Sequence, residues 1–252
     1  MDETQTKSMQ MEKEASDPLL GSILASTAGL AALAASPMAA LAVTTSTDIA
    51  VASSSMVTSG GAIASALFAY GHYFSIIGIV AAIMTERWTL ENGPNLTEDE
   101  ENRMAIADIV YGLIGVLIVY TGYCRLNDPY LGKGVFFYIH EPIFWLKMSM
   151  VSVLGAASLF NTTKIIQRSV ARATAGDKAI EPMSQALCDR MKSICNAELT
   201  GVLFIPLAAT FMSRGIAYNE SIPWQAEAGL TALIFLGLGF KYVREALTFE
   251  SS

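Results

Sequence analysis

Long apolar runs separated by polar connections dominate the chain from residue 62 onward. Residues 62–84, 105–124, 141–160 and 198–217 each hold about 20 consecutive, mostly apolar positions. At about 1.5 Å rise per residue, each run makes a helix of roughly 30 Å, the thickness of a bilayer's hydrocarbon core. Strict alternation, which a membrane barrel requires, is missing. A fifth run, Gly229–Phe240, is shorter. It reads either as a tilted span beginning near Pro223 or as a helix lying in the interface. The pattern therefore predicts an all-α integral membrane four-helix bundle with an extra C-terminal helix of open depth. It divides into a tail over 1–61, a transmembrane domain over 62–217 and a C-terminal segment over 218–252.

The tail begins with a polar, mildly acidic stretch, residues 1–18. Residues 19–42 form an alanine-rich run broken by Pro37 and ending in Ala40-Leu41-Ala42. A short apolar run before a small-x-small site has the pattern of an export signal. Its usual basic flank is absent, so a weakly hydrophobic retained helix is the competing reading. Residues 43–61 are rich in Ser, Thr, Gly and Ala, as linkers are.

Composition agrees with a membrane protein. Of 252 residues, 52% are apolar and 15% charged, and the mean hydropathy is +0.42. Soluble domains carry about 25% charged residues. A net charge of −7 argues against nucleic acid as a partner. The lipid bilayer and other membrane-protein subunits are the expected partners. Basic residues also give an orientation. Eight Lys and Arg flank the one-two and three-four connections, from Arg87 to Lys192, against Arg125, Lys133 and Arg214 on the other side. The positive-inside rule places the three-four connection on the cytoplasmic or stromal side.

Several ionisable residues lie within or beside the spans. His72 falls about ten residues into the first segment, roughly 15 Å deep. Ionisable groups at such depth face the bundle interior and mark ligand sites or proton paths. Glu86 follows 14 residues later, only about 40° off the same helical face. The plainer reading has His72 hydrogen-bonded to Tyr111 or to a backbone carbonyl. Asp108, Tyr111, Gly112, Gly115, Val119 and Gly122 share a stripe on the second segment, where small residues let helices approach. Asp108 suits the positive end of that helix, or a proton relay with Glu86.

Lys147 sits about six residues into the third segment, roughly 9 Å deep. It snorkels to the surface, or it pairs with Glu141 or a bound anion. Arg125 and Arg214 close the second and fourth segments, where a cation complements the helix dipole. With Lys147 they also make a cationic pocket for a carboxylate, propionate or lipid phosphate. Trp88 and Trp145 read as interfacial anchors. Cys188 and Cys195 are seven apart and share a face, with no zinc pattern. Asn95-Leu96-Thr97 matches a glycosylation triplet on the wrong side of the membrane for use.

Ordered motifs add a resemblance. Asp108-Ile-Val-Tyr111-Gly112, Gly122, Arg125, Gly132-Lys133-Gly134, Tyr138, Pro142 and Phe144-Trp145-Leu146-Lys147 are followed by Pro206 and by Met212-Ser-Arg214-Gly215. Over about residues 64–217 they resemble the predicted membrane protein family known as domain of unknown function 2214. That family is found in bacteria, cyanobacteria included, and in photosynthetic eukaryotes. It is loosely similar to four-helix families of the copper-resistance D and haem-pathway oxidase type, in which a first-helix histidine and a later lysine are associated with haem. The resemblance implies a haem site at His72, with Arg125 and Lys147 on counterpart positions and haem iron as the only metal; the cationic pocket adds Arg214 to the expected cofactor-binding residues, and chlorophyll is the other tetrapyrrole considered. His140 departs from the family pattern, where a small or amide residue is usual, which weakens a paired-histidine site.

The expected function is that of a non-catalytic accessory subunit, or a tetrapyrrole- or lipid-binding one, in a thylakoid-type membrane complex of a plastid. A bacterial inner membrane is the alternative location. A haem-dependent membrane oxidoreductase is the rival function. A small proton-coupled transporter using Glu86, Asp108 and His72 ranks third, because internal repeats and broken helices are missing.

Overall fold

The computed structural model describes residues 59–175 and 181–249. The expected polar tail, export segment and most of the linker fall outside the described residues, as does Lys178. Six α-helices are described: α1 Ser59–Thr89, α2 Glu98–Leu126, the short α3 Val135–Ile139, α4 Pro142–Ala175, α5 Gln185–Ser213 and α6 Trp224–Thr248. No strand occurs among the described residues.

Five of these helices are long and apolar enough to cross a membrane. The four expected spans are all present. The short run 229–240 turns out to be the centre of a fifth helix, α6, 25 residues long. The difference has a simple cause. Residues 224–228 and 241–248 are too polar to register as an apolar run, yet they continue the helix at both ends of it.

The other spans are also longer than their apolar runs. Helix α4 has 34 residues, and α5 starts at Gln185, well before the apolar segment opens at Glu198. Hydropathy marks only the stretch suited to lipid. The added turns carry Arg168, Arg172, Arg190 and Lys192, whose charges need water or partners. Glu101, only 6% exposed, is paired with Arg168 and Arg172 there, and Arg190 pairs with Glu245 at 2.8 Å.

The same end of the bundle holds a buried apolar cluster of side chains. Leu90, Phe160, Cys188, Met191 and Cys195 are fully buried within it. Local chemistry starts the helices here. Thr97 caps α2 by accepting from the Glu100 amide, and the Glu100 carboxylate accepts from the Thr97 amide at 2.8 Å. The glycosylation-like triplet thus contains a reciprocal helix cap. Ser184 caps α5 by accepting from the Leu187 amide at 3.1 Å. Met183 donates its amide to the Pro94 carbonyl at 3.2 Å, joining the two connections at this end.

The opposite end is tied by the α2–α4 and α5–α6 connections, where the Asn219 amide donates to the His140 carbonyl at 3.2 Å. Asp128 accepts from the Ser65 hydroxyl and, at 2.9 Å, from the Tyr130 amide. These hydrogen bonds, the one from Ser65 foremost, hold its carboxyl below the usual range. Trp145 is not the lipid-facing anchor expected. It is 6% exposed, and its indole donates to the Ile139 carbonyl at 2.8 Å, whereas Trp88 is 65% exposed.

Candidate functional site

The ionisable residues of the spans separate into two groups, one toward each end of the bundle. His72 of α1 lies against α2. Its Nδ1 is 3.1 Å from the Ile118 carbonyl oxygen and 3.1 Å from Thr121 Oγ1. The Thr121 hydroxyl donates to the Leu117 carbonyl at 2.7 Å, so its oxygen can only accept from the ring. Both neighbours of Nδ1 are therefore acceptors, and Nδ1 carries the hydrogen. In the neutral ring Nε2 then has its lone pair free, and it takes no partner among the described residues.

Glycine allows this approach. A Cβ at Gly122 would stand 3.2 Å from His72 Cε1, and one at Gly71 would stand 3.4 Å from the Thr121 methyl. Of the expected small-residue stripe, Gly122 makes the close contact, while Gly115 meets open space.

Arg125 and Lys147 both stand close enough to act electrostatically on His72. The Arg125 guanidinium donates to the Tyr73 hydroxyl at 3.2 Å and lies 4.8 Å from the centre of that ring. Lys147 is half-buried, with its ammonium 5.4 Å from the Phe144 ring. No carboxylate pairs with either cation among the described residues, and Glu141 does not reach Lys147. Arg214 does not join them. It is exposed and donates to the Thr210 carbonyl at 2.9 Å, closing the last turn of α5. His140 turns to its own backbone, with Nδ1 2.8 Å from the Phe136 carbonyl. Tyr111, the alternative partner for His72, is engaged elsewhere.

Toward the other end, Glu86 and Asp108 lie within electrostatic reach of one another, and Glu198 of α5 joins them. Asp108 is not at a helix start, since α2 begins at Glu98. Its carboxylate accepts from the Thr162 hydroxyl at 2.7 Å. The Tyr111 hydroxyl donates to Glu198 at 3.2 Å. Sequence reasoning missed Glu198 because it opens the apolar segment and looked like a boundary residue. The signal that could have found it is the capping serine, Ser184, which starts the helix 14 residues earlier.

Glu141 stands apart from both groups. It is 0% exposed, and neither carboxyl oxygen has a hydrogen-bond partner. Desolvation pushes its carboxyl above the usual range, offset in part by Lys133. A raised folded-state value means that the folded protein binds the proton more tightly than the unfolded chain. Stability is then highest below the unfolded value and falls as pH rises toward the folded one. We expect Glu141→Leu to raise stability at neutral pH by about 2 kcal/mol, because two orphaned oxygens are removed. Thermal unfolding in detergent across the acidic range checks this, and a wild-type and variant pair with parallel pH profiles would contradict it.

Comparison with known proteins places the chain. No curated protein and no solved structure matches it. A family model described as a predicted membrane protein (DUF2214) matches residues 64–217, which hold His72, Arg125, Lys147 and the whole acidic group. The chain is an integral membrane protein belonging to that family.

Proposed function

We propose that this chain is a non-catalytic subunit of a membrane complex that binds a tetrapyrrole at His72, either haem, whose free propionates Arg125 and Lys147 would meet, or a chlorophyll-type pigment. The observation that carries the reading is the state of the imidazole. Its Nδ1 hydrogen is shared between the Ile118 carbonyl and Thr121, so Nε2 is oriented and unused. Histidines that ligate metals are commonly held by a hydrogen bond from the other nitrogen to a backbone carbonyl. Gly122 makes room for the ring in that orientation. Arg125 and Lys147 supply positive charge that no carboxylate among the described residues meets within ion-pair distance, suited to the propionate groups of haem. Bound there, such a group would supply light absorption or electron transfer. The chain's own part is to orient the ring and clamp the acids.

A thylakoid-type membrane is the setting we favour, with the α4–α5 connection on the stromal side. The basic residues around that connection and the export-like run at 19–42 support it.

The test is the visible spectrum of the chain, purified in mild detergent from a host that makes haem and chlorophyll, beside His72→Ala. A Soret band in the wild type that His72→Ala abolishes supports the reading. Arg125→Gln with Lys147→Gln is expected to weaken pigment retention while keeping the band position. A folded, colourless wild type overturns it.

A further inference from the structure

The outer face of α6 carries a groove that the pigment site does not involve. Helix α6 packs chiefly on α4. Ala228, Thr231, Gly239 and Ala246 are buried on that side, and the Thr231 hydroxyl lies 3.0 Å from that of Ser149. The opposite face presents Leu230, Leu233 and Phe240, each at least 60% exposed. In a spanning helix such a face meets lipid tails.

Toward the end of α6 this apolar stripe runs into charge. At about 100° per residue, Arg244 lies about 20° from Leu233 and about 40° from Phe240 around the helix. Lys241 follows Phe240 directly. Phe240, Lys241, Arg244, Glu245 and Thr248 line a groove of about 350 Å³ there.

The charge balance sets this groove apart. Arg87, Arg168, Arg172 and Lys192, at the same end of the bundle, are each paired with a carboxylate. Lys241 and Arg244 are exposed, and no carboxylate among the described residues pairs with either. Glu245 would repel an anion in the groove, but Arg190 holds both of its oxygens, donating from Nε at 2.8 Å and from a terminal nitrogen at 3.2 Å. The carboxylate is thereby cancelled, and the groove keeps two cations in surplus.

Position decides the occupant. The apolar run of α6 ends at Phe240, so Lys241 and Arg244 stand where the helix leaves the hydrocarbon. A soluble anion would engage the cations and leave the apolar stripe unmatched. A lipid with a net negative phosphate headgroup matches both. Arginine's fork of donors and the lysine ammonium suit phosphate oxygens. Leu233 lies about 16 Å along the helix from Arg244, about the depth of one leaflet, so an acyl chain reaches it. A zwitterionic headgroup fits less well, because its own cation offsets the phosphate. We propose that this groove binds an anionic phospholipid, with Lys241 and Arg244 on the phosphate and Phe240 and Leu233 against an acyl chain.

Native mass spectrometry of the full chain in detergent, titrated with phosphatidylglycerol or with phosphatidylcholine of the same acyl chains, tests this. Phosphatidylglycerol should bind more tightly. Lys241→Gln with Arg244→Gln should weaken it about 30-fold, about 5-fold for each cation, and leave phosphatidylcholine nearly unchanged. If that double variant does not fold, Arg244→Gln alone carries the test. The swap Lys241→Arg with Arg244→Lys keeps both charges and should keep the preference. Lys192→Gln removes a cation already paired with Asp189 and should leave phosphatidylglycerol binding as it is. Equal binding of the two lipids overturns the proposal. So does a preference that survives the glutamine variants or is lost in the swap. A loss in Lys192→Gln as large as in the double variant also overturns it, because overall charge rather than a site would then be responsible. Displacement of phosphatidylglycerol by inorganic phosphate at equal concentration overturns the lipid in favour of a free anion. None of these outcomes depends on pigment at His72.

Discussion

Replacing Glu101 by glutamine is expected to destabilise the protein by about 3 kcal/mol or more, the usual consequence of removing one partner from a buried ion pair. Glu101 is 6% exposed in the first turn of α2, and its two oxygens are divided between Arg168 and Arg172 of α4. Arg168 reaches it through Nε at 3.1 Å as well as through its terminal nitrogen. Without the carboxylate, two guanidinium groups face each other across one amide. Arg168 would keep the Glu181 carbonyl at 3.3 Å, and Arg172 the Asn102 side chain at 3.2 Å, which limits the loss. Thermal unfolding in detergent measures it. High salt should change the wild-type value little, because buried pairs are weakly screened. A loss under about 1 kcal/mol would mean that the pairs behave as exposed ones do.

Gly132→Ala is expected to cost about 3 kcal/mol, at the upper end of overpacking effects. A Cβ there would sit 2.7 Å from the carbonyl oxygens of Asp128 and Leu126 and 2.8 Å from that of Arg125. These are backbone atoms, so no side-chain rotation relieves the clash. The turn itself depends on this approach, with the Gly132 amide donating to the Asp128 carbonyl at 2.8 Å and the Gly134 amide to the Leu126 carbonyl at 3.1 Å. The end of α2 would be pushed out, and Arg125 with it, so any pigment bound at His72 should be lost in parallel. Gly115→Ala is the matched control. A Cβ there meets nothing within 4 Å, and alanine favours the helix by about 1 kcal/mol. If the two variants unfold alike, the steric account of Gly132 is wrong.

The glycine and arginine of that motif show what a sequence motif can and cannot convey. Gly132-Lys133-Gly134 after Arg125 entered only as part of the family resemblance, and the structure shows it forming a tight turn after α2. The reason for the first glycine is steric, while Gly134 has φ +81° and needs a residue without a side chain. The pattern does not distinguish the two. Arg125 and Arg214 looked equivalent at two helix ends. Only Arg125 reaches across to α1, to Tyr73 next to His72, while Arg214 folds back on its own last turn.

By itself, the sequence determined that the chain is helical and lies in a membrane, where its four longest apolar runs fall, and which family it resembles. These follow from the cost of placing each residue in lipid, which is local and adds along the chain. Tertiary structure decided the rest. It extended the spans past their apolar runs, because the added turns are supported by ion pairs such as Arg190–Glu245 that join distant segments. It made Gly229–Phe240 the middle of a full-length helix. It put Trp145 inside, set His72 against Ile118 rather than Tyr111, and brought Glu198 to Tyr111. In a lipid-embedded helix the face toward lipid is as apolar as the face toward the bundle. Sequence periodicity therefore says little about how each helix is rotated, and it is that rotation which decides which polar side chains meet.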